Sequence, residues 1–329
     1  MSAGIRLGIV GFLALATIAA FYLIGSAGNL DFVISYRSRK VAAMVLVGWA
    51  VALSTVLFHT VTSNRILTPA VMGFDSLYQL LQTGLVFSLG VGGMAAFTPP
   101  VQFAVTTVVM TGVAVVLFGS LFGRLGRSLH VTILVGLVAG TLMRALSTLM
   151  QRVMDPTAHL SLQSRLFASF SNADPRLIGI TTVLVVLASA FVWHRRRELD
   201  VLALGPELST ALGVDHRRAT LQALVLVSVL VSVSTALVGP ILFFGLLVAN
   251  LAYQLAGTHR HAVTLPMAGL LAVLTLVGGQ AILEHVFELG TVLSVIVEFV
   301  GGLVFLGMLL GVGRRTPGRD GLGLRKVSA

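Results

Sequence analysis

The sequence predicts an all-α integral membrane protein, a polytopic bundle of about ten transmembrane helices with its N- and C-termini cytoplasmic. Three observations predict it. Hydrophobic residues make up 56% of the 329 and charged residues only 10%, against about 25% charged in an average soluble domain. A single soluble core could not cover that much apolar surface. The apolar residues fall into ten continuous runs near the roughly 20 residues a spanning helix needs, without the period-two alternation of barrel strands. Finally, Lys and Arg are unevenly shared among the connections. The composition excludes a cytosolic enzyme, a disordered chain and a disulfide scaffold. Cysteine is absent, so thiol chemistry and Cys-ligated metal are excluded too. The net charge of +10 is read first as loop orientation, not as nucleic-acid binding.

The first run, 7–24, follows Arg6. It is long for a signal-peptide core and lacks a clear small-x-small cleavage site, so it reads as an uncleaved first helix. Runs 41–58, 72–91, 101–122 and 131–150 follow, then 177–193, 221–238, 241–255, 263–283 and 291–312. The eighth is short and starts after Gly239-Pro240, where proline suits a first helical turn. With the N-terminus inside, about two thirds of the Lys and Arg fall on inner segments, among them Arg65, Arg124, Arg127, Arg195, Arg196, Arg197 and Arg260. That is the bias the positive-inside rule requires. Arg37-Ser38-Arg39-Lys40 is the exception, a basic cluster facing out. The outer stretch 151–176 contains a short surface helix over 160–170. In the inner stretch 194–219, helix formers lie between Gly205 and Gly213, with Pro206 near a helix start and Glu207 in its first turn. Two short cytoplasmic helices are expected there, lying against something. Residues 1–313 form one membrane domain, and 314–329 a basic cytoplasmic tail.

Catalytic motifs are missing: there is no phosphate-binding G-x-x-x-x-G-K-[ST], no H-E-x-x-H and no G-x-S-x-G. The eight His are scattered, so no metal site and no catalytic residue are expected. Within the spans, ionisable groups are costly and turn toward protein or water. Arg144 lies six residues from the outer end of its run and Glu298 seven from its own, roughly 9–10 Å deep at 1.5 Å per residue. They are either charges on a solute pathway or a structural ion pair. Asp75 reads as a local cap or interhelical contact. Gly136-Leu137-Val138-Ala139-Gly140 is a G-x-x-x-G step, beside Gly112, Gly278, Gly279, Gly301 and Gly302, and permits close approach between helices.

Three segments in order resemble one family. Arg37-Ser38-Arg39-Lys40 with Gly48 is similar to R-x-P-R-x-x-x-x-x-x-x-G, and Asn64-Arg65-Ile66-Leu67-Thr68-Pro69-Ala70-Val71-Met72-Gly73 to N-P-L-A-x-P-x-x-L-G. Leu204-Gly205-Pro206-Glu207 with Ala211-Leu212-Gly213-Val214 is similar to L-G-x-x-x-A-x-x-L-G. Gly239-Pro240-Ile241-Leu242-Phe243-Phe244-Gly245-Leu246, Gly257-Thr258-His259-Arg260-His261 and Leu265-Pro266 are similar to G-P-I-x-F-x-G-L, G-x-D-H-R and L-P. The ordered set resembles the permease subunits of bacterial ATP-binding-cassette importers for iron-siderophores and cobalamin, in the form of the catecholate-siderophore branch. Two places depart from the pattern. Ala249-Asn250-Leu251-Ala252-Tyr253 stands where the family has P-H-x-x-R. Gly301-Gly302-Leu303-Val304-Phe305 stands where it has G-x-P-x-F.

The resemblance implies a non-catalytic permease of the inner (cytoplasmic) membrane that imports ferric-siderophore chelates. It binds no cofactor itself; ATP and Mg sit on a separate ATP-binding cassette subunit. The other implied partners are a second, non-identical permease, an extracytoplasmic siderophore-binding protein and membrane lipid, with no nucleic acid. Leu202, Leu204, Gly205, Glu207, Leu208, Ala211, Leu212, Gly213 and Val214 are then the coupling segment for the ATPase subunit. Arg37 and Lys40, assisted by Arg39, dock the binding protein, unless the cluster is simply a solvated face. Arg144 and Glu298 line the translocation path. The rival reading, a secondary transporter driven by an ion gradient, predicts interrupted helices in two matching halves; the sequence has one short helix and no matching pair.

Overall fold

The computed structural model describes residues 2–23, 30–120, 129–171, 173–286 and 293–310. Among them are thirteen α-helices: α1 (Ala3–Leu23), α2 (Leu30–Thr62), α3 (Phe74–Ala96), α4 (Pro99–Phe118), α5 (Leu129–Val153), α6 (Pro156–Leu166), α7 (Pro175–His194), α8 (Arg196–Leu202), α9 (Pro206–Ala211), α10 (His216–Val238), α11 (Phe244–Ala256), α12 (His261–Val286) and α13 (Leu293–Leu309). A 3₁₀ turn, Pro69–Met72, precedes α3. Arg124, Arg127 and the basic tail 314–329 lie outside the described residues.

Each of the ten apolar runs falls on one helix: α1 to α5, α7, and α10 to α13. Seven of these are long and apolar enough to cross a membrane by length and composition. The other three are α3, broken by a non-helical Gly90, and the shorter α11 and α13. Three boundaries differ from expectation. First, α2 starts at Leu30 rather than at 41, because no breaker separates the basic cluster from the apolar run. Arg37 to Lys40 therefore ride on a helix, not in a loop. Second, α11 starts at Phe244, so Pro240 does not open it. Gly239 (φ 101°) and Phe243 (φ 50°) hold the intervening segment in backbone a helix cannot use. Third, the outer surface helix is α6, which starts before 160. Asp155 caps it by accepting from the Thr157 N–H at 3.1 Å, and Pro156 fills its first turn. The two short inner helices are α8 and α9, as expected.

The bundle is built around α2, which packs against α7, α10, α11 and α12. Its most apolar window is 72% buried, against 17% for α1 and α5, so α2 is the central post and those two are peripheral. Lipid is as apolar as a leucine side chain, so close packing rather than escape from water holds such helices together. Glycine makes the tightest contacts possible. A Cβ on Gly269 would lie 2.3 Å from the Trp49 ring, and one on Gly48 3.1 Å from Leu276. The G-x-x-x-G step brings α5 close to the start of α3. Gly136 and Gly140 lie against Met72 and Gly73, the turn that leads into α3, and Gly140 faces Ser76 on α3 itself. A Cβ on Gly140 would sit 2.9 Å from the Gly73 Cα. Gly73 (φ 88°) needs glycine's freedom to turn there. Of the other glycines singled out, Gly301 meets Phe243, while Gly112 and Gly302 face open space.

Polar clasps join α2 to α12 at both ends. At the outer end, Lys40 forms an ion pair with Glu284, whose Oε1 also accepts from Gln280 Nε2 at 2.8 Å. At the inner end, Thr60 Oγ1 and His261 Nε2 are 2.7 Å apart. The His261 ring and backbone N–H both meet Asp200 Oδ1, at 2.6 and 2.7 Å. The clasps are about 30 Å apart along the helices, the thickness of a bilayer's hydrocarbon core.

Candidate functional site

The inner face carries α8 and α9. Gly205 (φ 93°) and Gly213 (φ 84°) bracket α9 with positive-φ turns, so the helix stops on both sides for a backbone reason. Side chains then fix its base. Ser209, buried beneath α9, meets His216 Nδ1 at 2.8 Å, and Asp215 caps α10 through the Arg218 N–H at 3.1 Å. The outward surface is apolar: Leu204, Leu208 and Leu212 are 53%, 56% and 62% exposed. Glu207 and Ala211 are exposed beside them. Leu202 corrects the expected set. At 1% exposure it belongs to the core and presents nothing to a partner, because α8 turns Leu199 and Leu202 toward the bundle.

Beside this helix opens a cavity of about 630 Å³, bordered by Leu204, Arg65, Tyr253, His59, His259 and His261. The Arg65 guanidinium lies 4.5 Å over the Tyr253 ring and Nη2 is 3.0 Å from His259 Nδ1. No local pattern ties His59 to the others, since it joins from the end of α2, about two hundred residues away. Among the described residues, no three His, Cys, Asp or Glu are grouped to hold a metal ion. Asp200 ties α8 to His261, and His261 to Thr60 on α2, so a chain of short polar contacts runs from the exposed helices to the central post.

Inside the bundle, the Asp75 carboxyl feels the charges of both Arg144 and Glu298. Arg144 Nη2 donates to Ser76 Oγ at 3.3 Å, and the Glu298 carboxylate accepts from the Leu242 backbone. Among the described residues, Arg144 and Glu298 form no direct ion pair. Asp75 is not a cap: Gly73 is the N-cap of α3 and receives no side-chain hydrogen bond. Its Oδ2 is buried with no hydrogen-bond partner. Arg144 is exposed on α5 beside Leu137, at the edge of the buried line of Gly136, Gly140 and Ser147, while the exposed Val138, Leu142, Leu146 and Leu149 lie on the opposite side of the helix.

The order of these features along the chain is that of one transporter family. The model of the FecCD transport family matches residues 3–311. The chain belongs to that family. It is 41% identical over 298 residues to a petrobactin import system permease protein, YclO, of Bacillus subtilis, covering 91% of this chain and 94% of that one. It is 34% identical over 312 residues to another, FatC, of Bacillus anthracis, covering 91% and 88%. A solved inward-facing structure of a metal-chelate type ABC transporter shares the fold, with a TM-score of 0.82 and 23% identity over 93% of this chain and 98% of that one.

Departures from the family pattern have local reasons. Where the FecCD pattern has P-H-x-x-R, Asn250 Nδ2 donates to the Arg65 carbonyl at 3.0 Å, and Tyr253 lies under the Arg65 guanidinium. The substituted positions thus hold the segment before α3 in place. At the outer end, the family's basic pair is divided. Lys40 is 6% exposed and occupied by Glu284, which corrects its expected role at a partner surface. Arg37 Nη1 donates to the Phe21 carbonyl at 2.6 Å. Arg39 is exposed and reaches Ser35 on its own helix at 3.4 Å. Residues on a helix turn by about 100° each, so Arg37 and Lys40, three apart, share the inward face while Arg39 points away from it.

Proposed function

We propose that the chain is the permease subunit of an ATP-driven importer that moves ferric-siderophore chelates across the cytoplasmic membrane. The carrying observation is the FecCD family match, which spans nearly the whole chain. A ferric chelate is large and polar, so hydrocarbon excludes it. A bundle that opens alternately to each side gives it a path. Petrobactin, the cargo in the names of both relatives, is the proposed cargo class here.

The motor is a separate ATP-binding subunit. Leu204, Leu208 and Leu212 on and beside α9 are its proposed contact, with Gly205 and Gly213 setting the helix's pose and Glu207, Ala211 and Val214 at its rim. The contact chain Asp200–His261–Thr60 carries movement of that helix into α2. A second, non-identical permease completes the pathway. Arg144 and Glu298 face the pathway, because a guanidinium exposed on α5 is far cheaper against water than against lipid. Arg39, with Arg37 behind it, is the proposed contact for an extracytoplasmic binding protein.

The test is reconstitution. In liposomes holding the chain, a second permease and the ATP-binding subunit, iron-labelled petrobactin supplied with its binding protein is expected to accumulate only with ATP. Accumulation by the chain alone under a proton gradient would sink this assignment and restore the secondary transporter.

A further inference from the structure

A cavity of about 40 Å³ lies inside the bundle where α2, α3 and α10 meet the turn before α11. Among its lining groups are the Asp75 carboxylate and the side chains of Ser54, Thr55, Thr68, Ser234 and Thr235. Three of the hydroxyl protons are already committed. Ser54 and Thr55 donate to the Val51 carbonyl at 3.0 and 2.8 Å, and Ser234 donates to the Val231 carbonyl at 3.0 Å. What these side chains have left for the cavity is oxygen lone pairs. Asp75 Oδ2 adds a sealed carboxylate oxygen with no donor. A space lined by acceptors, one of them anionic, calls for a cation.

The charges agree. Asp75 shares one arginine, Arg144, with a second acid, Glu298, so among the described residues no cation is dedicated to its carboxylate. A buried carboxylate without a dedicated partner is costly. The amides at the start of α3 soften the Asp75 charge but leave Oδ2 itself without a donor. The volume fits one small ion or a water or two. Oxygen-only ligands beside an unwound segment between helices are a known way to hold Na⁺ in membrane proteins. Here that segment, with Gly239, Ile241 and Phe243, forms part of the wall.

We propose that this cavity is a binding site for a small monovalent cation of the Na⁺ class, held by the Asp75 carboxylate and the hydroxyl oxygens of Ser54, Thr55 and Ser234. The ion bridges α2, α3 and α10, and its binding favours the arrangement in which these helices are closed on one another. This holds whatever the cargo.

The full-length chain, purified in detergent, is unfolded thermally in chlorides of Na⁺, K⁺ and choline at equal ionic strength. A saturable rise in Tm with Na⁺, absent with choline, is expected. At ten times the midpoint concentration, linkage makes the folded-to-unfolded ratio about elevenfold larger. Asp75→Asn is expected to abolish the Na⁺ response. Ser54→Ala keeps the charge and removes one ligand; it is expected to raise the Na⁺ midpoint on the order of tenfold. That variant decides the matter should Asp75→Asn not fold. Equal Tm in Na⁺ and choline would overturn the site and assign the space to water. A Tm that follows pH identically in both salts would overturn it in favour of a bound proton. An unchanged midpoint in Ser54→Ala would overturn the ligand set.

Discussion

Replacing Lys40 with methionine separates a surface role from a structural one. The ammonium is 7% exposed and its partner carboxylate 26%, so the pair is largely withdrawn from water. Removing one partner strands the other: among the described residues, Glu284 then keeps only Gln280 as a donor. Breaking a buried pair from one side costs about 3–5 kcal/mol, and the partial exposure of Glu284 places Lys40→Met at the lower end, about 3 kcal/mol. Replacing both partners, Lys40→Met with Glu284→Leu, removes the stranded charge, and most of the loss is expected to return. The assay is thermal unfolding of the four proteins of the cycle in one detergent, with binding-protein association measured in parallel. A Lys40→Met protein with unchanged Tm and a slower, salt-sensitive association would refute the reasoning, because that is the signature of an exposed docking charge.

Other substitutions test the remaining assignments. Leu208→Asp alters a side chain 56% exposed and is expected to leave stability within about 0.5 kcal/mol while abolishing co-purification of the ATP-binding subunit. Asp200→Asn weakens the link between α8 and His261. It is expected to cost about 1 kcal/mol and to lower transport per ATP hydrolysed while the subunits still assemble, read from paired uptake and phosphate-release rates. Gly140→Ala places a Cβ against the Gly73 backbone and is expected to cost about 1–3 kcal/mol, whereas Gly112→Ala, which meets nothing within 4 Å, is expected to be neutral in the same unfolding assay. Arg144→Ala is expected to leave assembly intact and reduce uptake of an anionic chelate; unchanged uptake kinetics would remove Arg144 from the path.

The spans were legible because a bilayer imposes length and apolarity directly on the sequence, and the α9 turn was legible because Gly205, Pro206 and Gly213 act locally. Direction was not. Lys40 and Arg39 are neighbours in sequence, yet one is buried and one exposed, and only the position of α12 decides which. Leu202 has the composition of an interface residue and sits in the core for the same reason. Asp75 looked like a cap because it opens a helix; its relation to Arg144 and Glu298 depends on three helices meeting. The histidines of the inner cavity come from segments some two hundred residues apart. No periodicity records such meetings, and a single sequence carries no other trace of them.

The fastenings between α2 and α12 have a mechanical consequence. Two rods tied at top and bottom cannot slide lengthwise past one another, and Trp49 seated over Gly269 keys them near the middle. In a machine that gapes first to one side and then to the other, this pair serves as a fixed mast. Spin labels placed on the two helices should keep their separation through a whole turnover, while α5, which packs on α3 and α4, and α13, which lies against α11 and α12 without such ties, swing.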